Sequence, residues 1–418
     1  MRAIRPSALV ALCAASIACG AFGSGDADDA GAAGIDAASS ADVASGTDAA
    51  AAESGTDASA CRATGRPVVD VAYGQAATFP FPVRKAAVAP SGDVLAVALR
   101  ACGDGSARSA TLARIGRDGT VSGPIGCLPE EVPWAIAATP AGALVGTTLG
   151  ASPEQRVRLW RVAPTGAATQ LDELGNPVVS PPEPSRTPFP TIAFQSGTVT
   201  GWGGFREAQT GAPKVKGVLR ASTGGPWLSV ATPVATEVPV AVAARGGSLL
   251  FVFIQEAEDP NPGYVVLRRF NVASSLTEDT AFSNAGRTKL PLPGPALFVE
   301  APVRSLVWDG DTITFVMSVT ATDSAVYVFR EPAGPASPAT FVGSAAQVTR
   351  ACDGATLIAA NAGGGAVDVL RFSSGALGWS GGAAAPRLAG LGGLTGFGVA
   401  DDGLAYVVGS TKAARLTP

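Results

Sequence analysis

The groups in this chain with chemistry to offer are carboxylates, aromatic rings and cysteines, because its 418 residues include no histidine. Imidazole general bases, His-based triads and His-containing metal sites are excluded at once. Carboxylates and aromatics gather in a few stretches: Phe79 and Phe81; Glu130, Glu131 and Trp134; Phe189; and Glu256, Glu258, Asp259 and Tyr264. Rings among carboxylates suit recognition of a protein or a glycan, the rings offering apolar area and the carboxylates accepting hydrogen bonds. Glu256, Glu258 and Asp259 lack the twelve-residue spacing of a calcium loop, and Asp309-Gly310-Asp311 reads as a turn, so no metal and no cofactor is assigned. No phosphate loop is present and no catalytic residue is assigned, since nothing guides the choice among the 26 acidic residues beyond position 60.

The elements that must position these groups read as strands. From Val68 onward, short alternating runs rich in Val, Leu, Ala and Phe are punctuated by Gly, Pro and Asp, which predicts an all-β domain. A unit recurs: an apolar strand, a small glycine-containing turn and a second apolar strand, as in Ala86 to Val97, Ala135 to Gly146, Ser305 to Val316 and Phe397 to Val408. Its turn glycines, Gly92, Gly142, Gly197, Gly247, Gly310, Gly354 and Gly403, stand 44 to 63 residues apart. A second hairpin follows each of the first six, giving four strands per unit, for example Thr111 to Val121, Val265 to Ser275 and Val367 to Leu377. The last unit runs out at Ala413 to Thr417, and a lone strand, Pro67 to Tyr73, opens the domain; the two ends are expected to complete one unit and remove two exposed edges. Pro82, Pro133, Pro190, Pro239 and Pro302 stand ahead of innermost strands, where a missing N–H is tolerated.

This pattern resembles seven-bladed β-propellers of four-stranded antiparallel blades, over residues 66 to 418, without the signature of any subfamily. A β-sandwich with proline-bounded strands is the alternative. The propeller resemblance implies that strand-to-strand turns such as Ser91-Gly92-Asp93, Asp118-Gly119 and Asp402-Gly403 share one face, and that the longer connections carry Phe79, Phe81, Glu130, Glu131, Trp134, Phe189, Glu256, Glu258, Asp259 and Tyr264 to the other. That face is the expected ligand side, because binding residues concentrate on loops held by a rigid scaffold. For any single residue the competing reading is packing between blades for the aromatics and solvated loop for the acids.

Arg2 and Arg5 precede an apolar stretch, Ala8 to Ala18, of signal-peptide length and short for a membrane span. Ser16-Ile17-Ala18-Cys19-Gly20 resembles the bacterial lipobox, which implies lipidation of Cys19; Ser16 stands where that family has Leu, so cleavage near Ala21 is the alternative. Of the 37 residues from Ser24 to Ala60, 35 are Ala, Gly, Ser, Thr, Asp or Glu, with eight acids and no base. Such a segment has no core to offset roughly 1–2 kcal/mol of backbone entropy per residue and is expected to be a disordered tether. Spacers of this kind look like those of lipoproteins from high-GC Gram-negative bacteria, myxobacteria especially. The organisation expected is therefore a signal peptide over 1–18, anchor and tether over 19–60 and a propeller over 61–418.

Beyond residue 60 the balance is 28 basic against 26 acidic residues with no dense basic run, so nucleic-acid binding is excluded. Cys61, Cys102, Cys127 and Cys352 remain for an oxidising compartment and allow three pairings; propeller phasing favours Cys102–Cys127 with Cys61–Cys352, which keeps partners on one face. The function expected is a non-catalytic recognition module, a monomer facing the periplasm or the cell surface, which meets the membrane only through its lipid and binds a protein or glycan. The second reading is a metal-assisted lactonase or hydrolase whose carboxylates ring a central channel.

Overall fold

The computed structural model describes residues 66–418 except 103–108, 141, 150–155, 175–190, 196–197, 209–213, 221–227, 231–236, 256–263, 273–275, 284–285, 292–302, 332–333, 336–337, 374 and 380–383. Within these bounds the chain is almost wholly β, in seven antiparallel sheets. The first is Lys85–Val88, Val94–Leu99, Ser109–Ile115 and Val121–Pro129; the second is Glu131–Thr139, Gly142–Leu149, Arg156–Val162 and Ala168–Leu174; the third is Thr191–Gln195, Thr198–Ala208, Lys214–Arg220 and Leu228–Val230. The fourth, fifth and sixth begin with Glu237–Arg245, Val303–Asp309 and Ser344–Arg350. Each of these six is cut from one continuous stretch of chain. The seventh is composite: Leu394–Val399, Ala405–Gly409 and Ala413–Thr417 are joined by Val68–Asp70, with Val68 opposite Thr417 and Asp70 opposite Arg415.

In the first six sheets the strands run outward in chain order, in the seventh the earliest strand of the chain takes the outermost place, and each innermost strand touches the innermost strand of the next, with Leu394–Val399 returning to Lys85–Val88. The ring is closed, which removes its free lateral edges. Sheets stacked on both faces call for strands with apolar residues at successive positions. Val94–Leu99 (VLAVAL) and Ser248–Gln255 (SLLFVFIQ) have that character. The core accordingly lies in layers between neighbouring sheets: Leu95, Val97, Leu128 and Val145 between the first and second, and Leu250, Phe315, Tyr327 and Phe329 between the fourth and fifth.

The hairpins turn where the glycines predict. Asp118, Asp353 and Asp402 each accept the backbone N–H two residues on, around a glycine at positive φ (Gly354 83°, Gly403 79°), so the Asp-Gly pair supplies both the cap and the left-handed residue. Two expectations change. Pro133 and Pro239 lie inside their innermost strands rather than ahead of them, each at a β-bulge, a place where a missing N–H costs the ladder nothing. The opening strand ends at Asp70, whose carboxylate accepts the Tyr73 N–H at 3.0 Å and starts a short helix, Val71–Ala76. The chain then rejoins the sheet through a bridge between Thr78 and Lys412.

The same interruption recurs. In the fourth sheet the outermost position is split between Leu276–Glu278 and Arg287–Pro291, in the fifth between Gly334–Pro335 and Ala339–Val342, and in the sixth between Ala376–Leu377 and Arg387–Leu388. Phe282, Trp379 and Tyr73 project from these insertions into the layers between sheets and are at most 4% exposed. Among the described residues no helix is long and apolar enough to cross a membrane.

Candidate ligand-binding face

The innermost strands all start on the face opposite the hairpin turns, so the residues at their starts surround the mouth of the ring. In the second sheet that start is Glu131–Thr139, where Trp134 occupies the bulge between Pro133 and Ala135. A bulge re-aims a side chain out of the pleat. Trp134 is half-buried, its indole N–H donates to Thr148 Oγ1 at 2.8 Å, and the Arg84 guanidinium of the first sheet lies 4.4 Å from its ring centroid. A cation on an indole face gives a flat, rigid surface carrying positive charge.

Glu131 precedes it and is 1% exposed. Its Oε1 accepts from Arg158 Nη1 at 2.8 Å, and Arg158 Nε donates to Glu173 Oε2 at 2.8 Å. Burial pushes the Glu131 carboxyl above its ordinary value, opposed by Thr147 and Arg158. Glu130 is exposed and adopts φ 60°, and its N–H reaches Ser109 Oγ at 3.4 Å. Tyr264 is half-buried at the start of Tyr264–Val272, with Lys289 Nζ 5.2 Å from its ring.

The sequence-predicted residues thus divide. Glu130, Glu131 and Trp134 are brought together. Phe79 and Phe81 are 6% and 5% exposed and pack between the seventh and first sheets, with the Phe79 N–H donating to the Thr411 carbonyl at 2.9 Å. They follow the packing reading, because the segment after the short helix folds back over the core. Phe189, Glu256, Glu258 and Asp259 lie outside the described residues, as do Cys19 and Cys61. Cys102 and Cys127 form a disulfide across a separation of 25 residues with Cα atoms 6.2 Å apart. Cys352 is also disulfide-bonded.

Sequence reasoning missed Arg84 and Arg158, whose roles emerge only when strands are set side by side. It also expected no Gly-x-Ser-x-Gly nucleophile elbow, although Gly378-Trp379-Ser380-Gly381-Gly382 has that spacing. That motif needs a strand-to-helix turn and a histidine partner. Here Trp379 is a buried plug beneath Arg371 at 5.9 Å, and Ser380–Gly382 lie outside the described residues.

The turn face is richer than its short connections imply. Arg114, Arg269, Arg371 and Arg415 each stand opposite the residue three positions after a turn glycine, namely Leu95, Leu250, Leu357 and Tyr406. Each is paired with an acid, Asp93, Asp279, Asp353 and Asp70 respectively. Further ion pairs join neighbouring sheets: Arg117–Asp402, Arg269–Glu331 and Arg350–Asp309.

A closed ring of antiparallel sheets with four strand positions each, innermost strands around the axis, defines a β-propeller. No family model and no curated protein matches the chain. Solved structures to which it is similar include extracellular domains 1–2 of Drosophila semaphorin 1b (12% identity, 84% of this chain and 86% of that one, TM-score 0.40). A streptogramin B lyase is similar at 10% identity over 85% and 98%, TM-score 0.47. The propeller domain of the Trilobed protease from Pyrococcus furiosus is similar at 9% over 81% and 93%, TM-score 0.45. The fold assignment rests on the sheet ring rather than on these likenesses.

Proposed function

We propose that the chain is a seven-bladed propeller, each sheet a blade, exported by residues 1–18, lipid-anchored at Cys19 and held off the membrane by a tether ending at residue 60. On this reading it is a monomeric envelope lipoprotein of the kind found in myxobacteria, and the face with Trp134 and Arg84 binds a protein or a glycan without catalysis. The observation that carries the choice is the state of the carboxylates on the innermost strands. The innermost strands hold three, Glu131, Glu237 and Asp309. Glu131 is ion-paired with Arg158 and Asp309 with Arg350, and among the described residues no three Asp, Glu or Cys come together as a metal site would require. A half-buried guanidinium–indole pair at the ring mouth instead suits a partner that is anionic or rich in hydroxyl groups.

The test is binding of the full chain to an array of bacterial glycans and to separated envelope proteins, beside Trp134→Ala. A ligand whose binding falls at least tenfold in the variant supports the reading. Metal-dependent turnover of a lactone or ester that survives Trp134→Ala would establish the hydrolase in its place. For the anchor, the mass of the mature N-terminus decides: diacylglycerol on Cys19, lost in Cys19→Ala, against an unmodified end near Ala21.

A further inference from the structure

Away from the ring mouth, an open cavity of about 490 Å³ lies between the outer edges of the sixth and seventh sheets. One wall is Val69, Val71 and Thr78, from the opening strand and the helix that follows; the other is Leu388 and Leu391, with Lys412 between them. Its volume falls in the range of small-molecule sites, roughly 300–1,000 Å³.

Two independent features set it apart. The first is misplaced apolar surface. Among the described residues only four large hydrophobic side chains are exposed, and two of them line this cavity: Val69 at 36% and Val71 at 64%. Exposed apolar area concentrated at a concavity marks a binding surface, whereas scattered single residues do not. The second is charge. Asp70 is neutralised by Arg415, and Arg387 reaches both carboxylate oxygens of Asp368 at 2.8 Å. Lys412 has no carboxylate partner among the described residues, and the cavity is therefore left with one uncompensated positive charge.

We infer that this cavity binds an apolar monocarboxylate, a molecule with an acyl or similar hydrocarbon body and one carboxylate. The hydrocarbon covers the valine and leucine walls, the carboxylate meets Lys412, and Thr78 is the neutral polar neighbour. A cationic amphiphile would meet Lys412 with like charge, and a neutral one would leave its ammonium uncompensated. The inference uses no residue of the ring-mouth reading, so either can fail alone.

Dodecanoate, below its micellar concentration, is the probe, titrated calorimetrically into the full-length protein beside dodecanol and dodecyltrimethylammonium. Saturable one-to-one binding of dodecanoate is expected, weakened at least tenfold in Lys412→Gln and in Val71→Asp and retained in Lys412→Arg. Both sites are at the surface, and circular dichroism checks that each variant is folded. Absence of saturable binding, equal affinity for dodecyltrimethylammonium, or affinity unmoved by Lys412→Gln and Val71→Asp would each overturn the inference.

Discussion

In the fourth sheet Arg269 lies opposite Leu250, sends Nε to Asp279 at 2.7 Å and sits 4.9 Å above Phe282. In the seventh, Arg415 lies opposite Tyr406, sends Nε to Asp70 at 3.2 Å and sits 4.7 Å above Tyr73. The acid and the ring come from the same string in both places, Asp279-Thr280-Ala281-Phe282 and Asp70-Val71-Ala72-Tyr73. Each arginine also reaches the neighbouring sheet, Arg269 to Glu331 and Arg415 to the Arg117 carbonyl. The seam that joins the two ends of the chain is thus an ordinary outer edge of a blade, cut free and moved to the other end of the sequence. What differs is connectivity, since Arg269 and Asp279 are 10 residues apart and Arg415 and Asp70 are 345 apart. Closure entropy grows by about 0.6 kcal/mol per doubling, which makes the seventh sheet roughly 3 kcal/mol dearer to close for the same contacts. The ring should therefore open at the Val68–Asp70 strand before it opens at Leu276–Glu278.

The largest effect should come from the two aromatic plugs. Tyr73→Ala and Phe282→Ala each empty a site at most 2% exposed and should cost about 3–5 kcal/mol in denaturant unfolding. Only Tyr73→Ala should also expose the segment 66–83 to protease while the rest stays folded; equal protection in both variants would erase the distinction between seam and interior edge. Next come the arginines. Arg415→Ala and Arg269→Ala remove charged hydrogen bonds at side chains 20% and 19% exposed, worth about 1.5–3 kcal/mol each. Hydrogen exchange should show Val68–Asp70 amides released by the first and unaffected by the second. If Arg269→Ala also released them, the two edges would be one cooperative unit.

Much of this architecture was legible in the sequence for a physical reason. Turn glycines at Gly92, Gly354 and Gly403 must adopt positive φ, and strands of period two must flank them, so hairpins announce themselves. The pairing of Pro67 to Tyr73 with Ala413 to Thr417 followed from counting strands, and Cys102–Cys127 from the phasing of the first sheet. The split outer edges were not legible, because two-residue strands such as Gly334–Pro335 carry no periodicity. Neither was the burial of Phe79 and Phe81, since an aromatic in a connecting segment does not say which way it points. The strand arginines escaped because their register, opposite the residue three after a turn glycine, exists only across strands. The repeated Asp-x-Ala-aromatic string was visible and was the one signal that could have revealed it.

The smallest effects are those of pH, and they distinguish the seam from the ring mouth by sign. Asp70 is held below its ordinary value of 3.8 by the Tyr73 N–H and by Arg415. The unfolded chain therefore takes up a proton on Asp70 first, and the stability it contributes is present above about pH 3.8 and lost as pH falls further. Asp353 behaves alike: burial alone would raise its carboxyl, but Arg371 and the Ala355 N–H outweigh that and hold it low. Glu131 runs the other way. Burial raises it above 4.5, so its contribution is greatest in acid and is lost as pH rises from there through its folded value. Glu131→Gln should accordingly flatten the fall in stability above about pH 4.5 and leave the acid limb intact, while Asp70→Asn should flatten the acid limb alone. Urea unfolding between pH 3 and 7 separates the two. A wild-type profile unchanged by Glu131→Gln would mean that Thr147 and Arg158 offset the effect of burial in full, so that the carboxyl titrates in the folded chain as it does in the unfolded one.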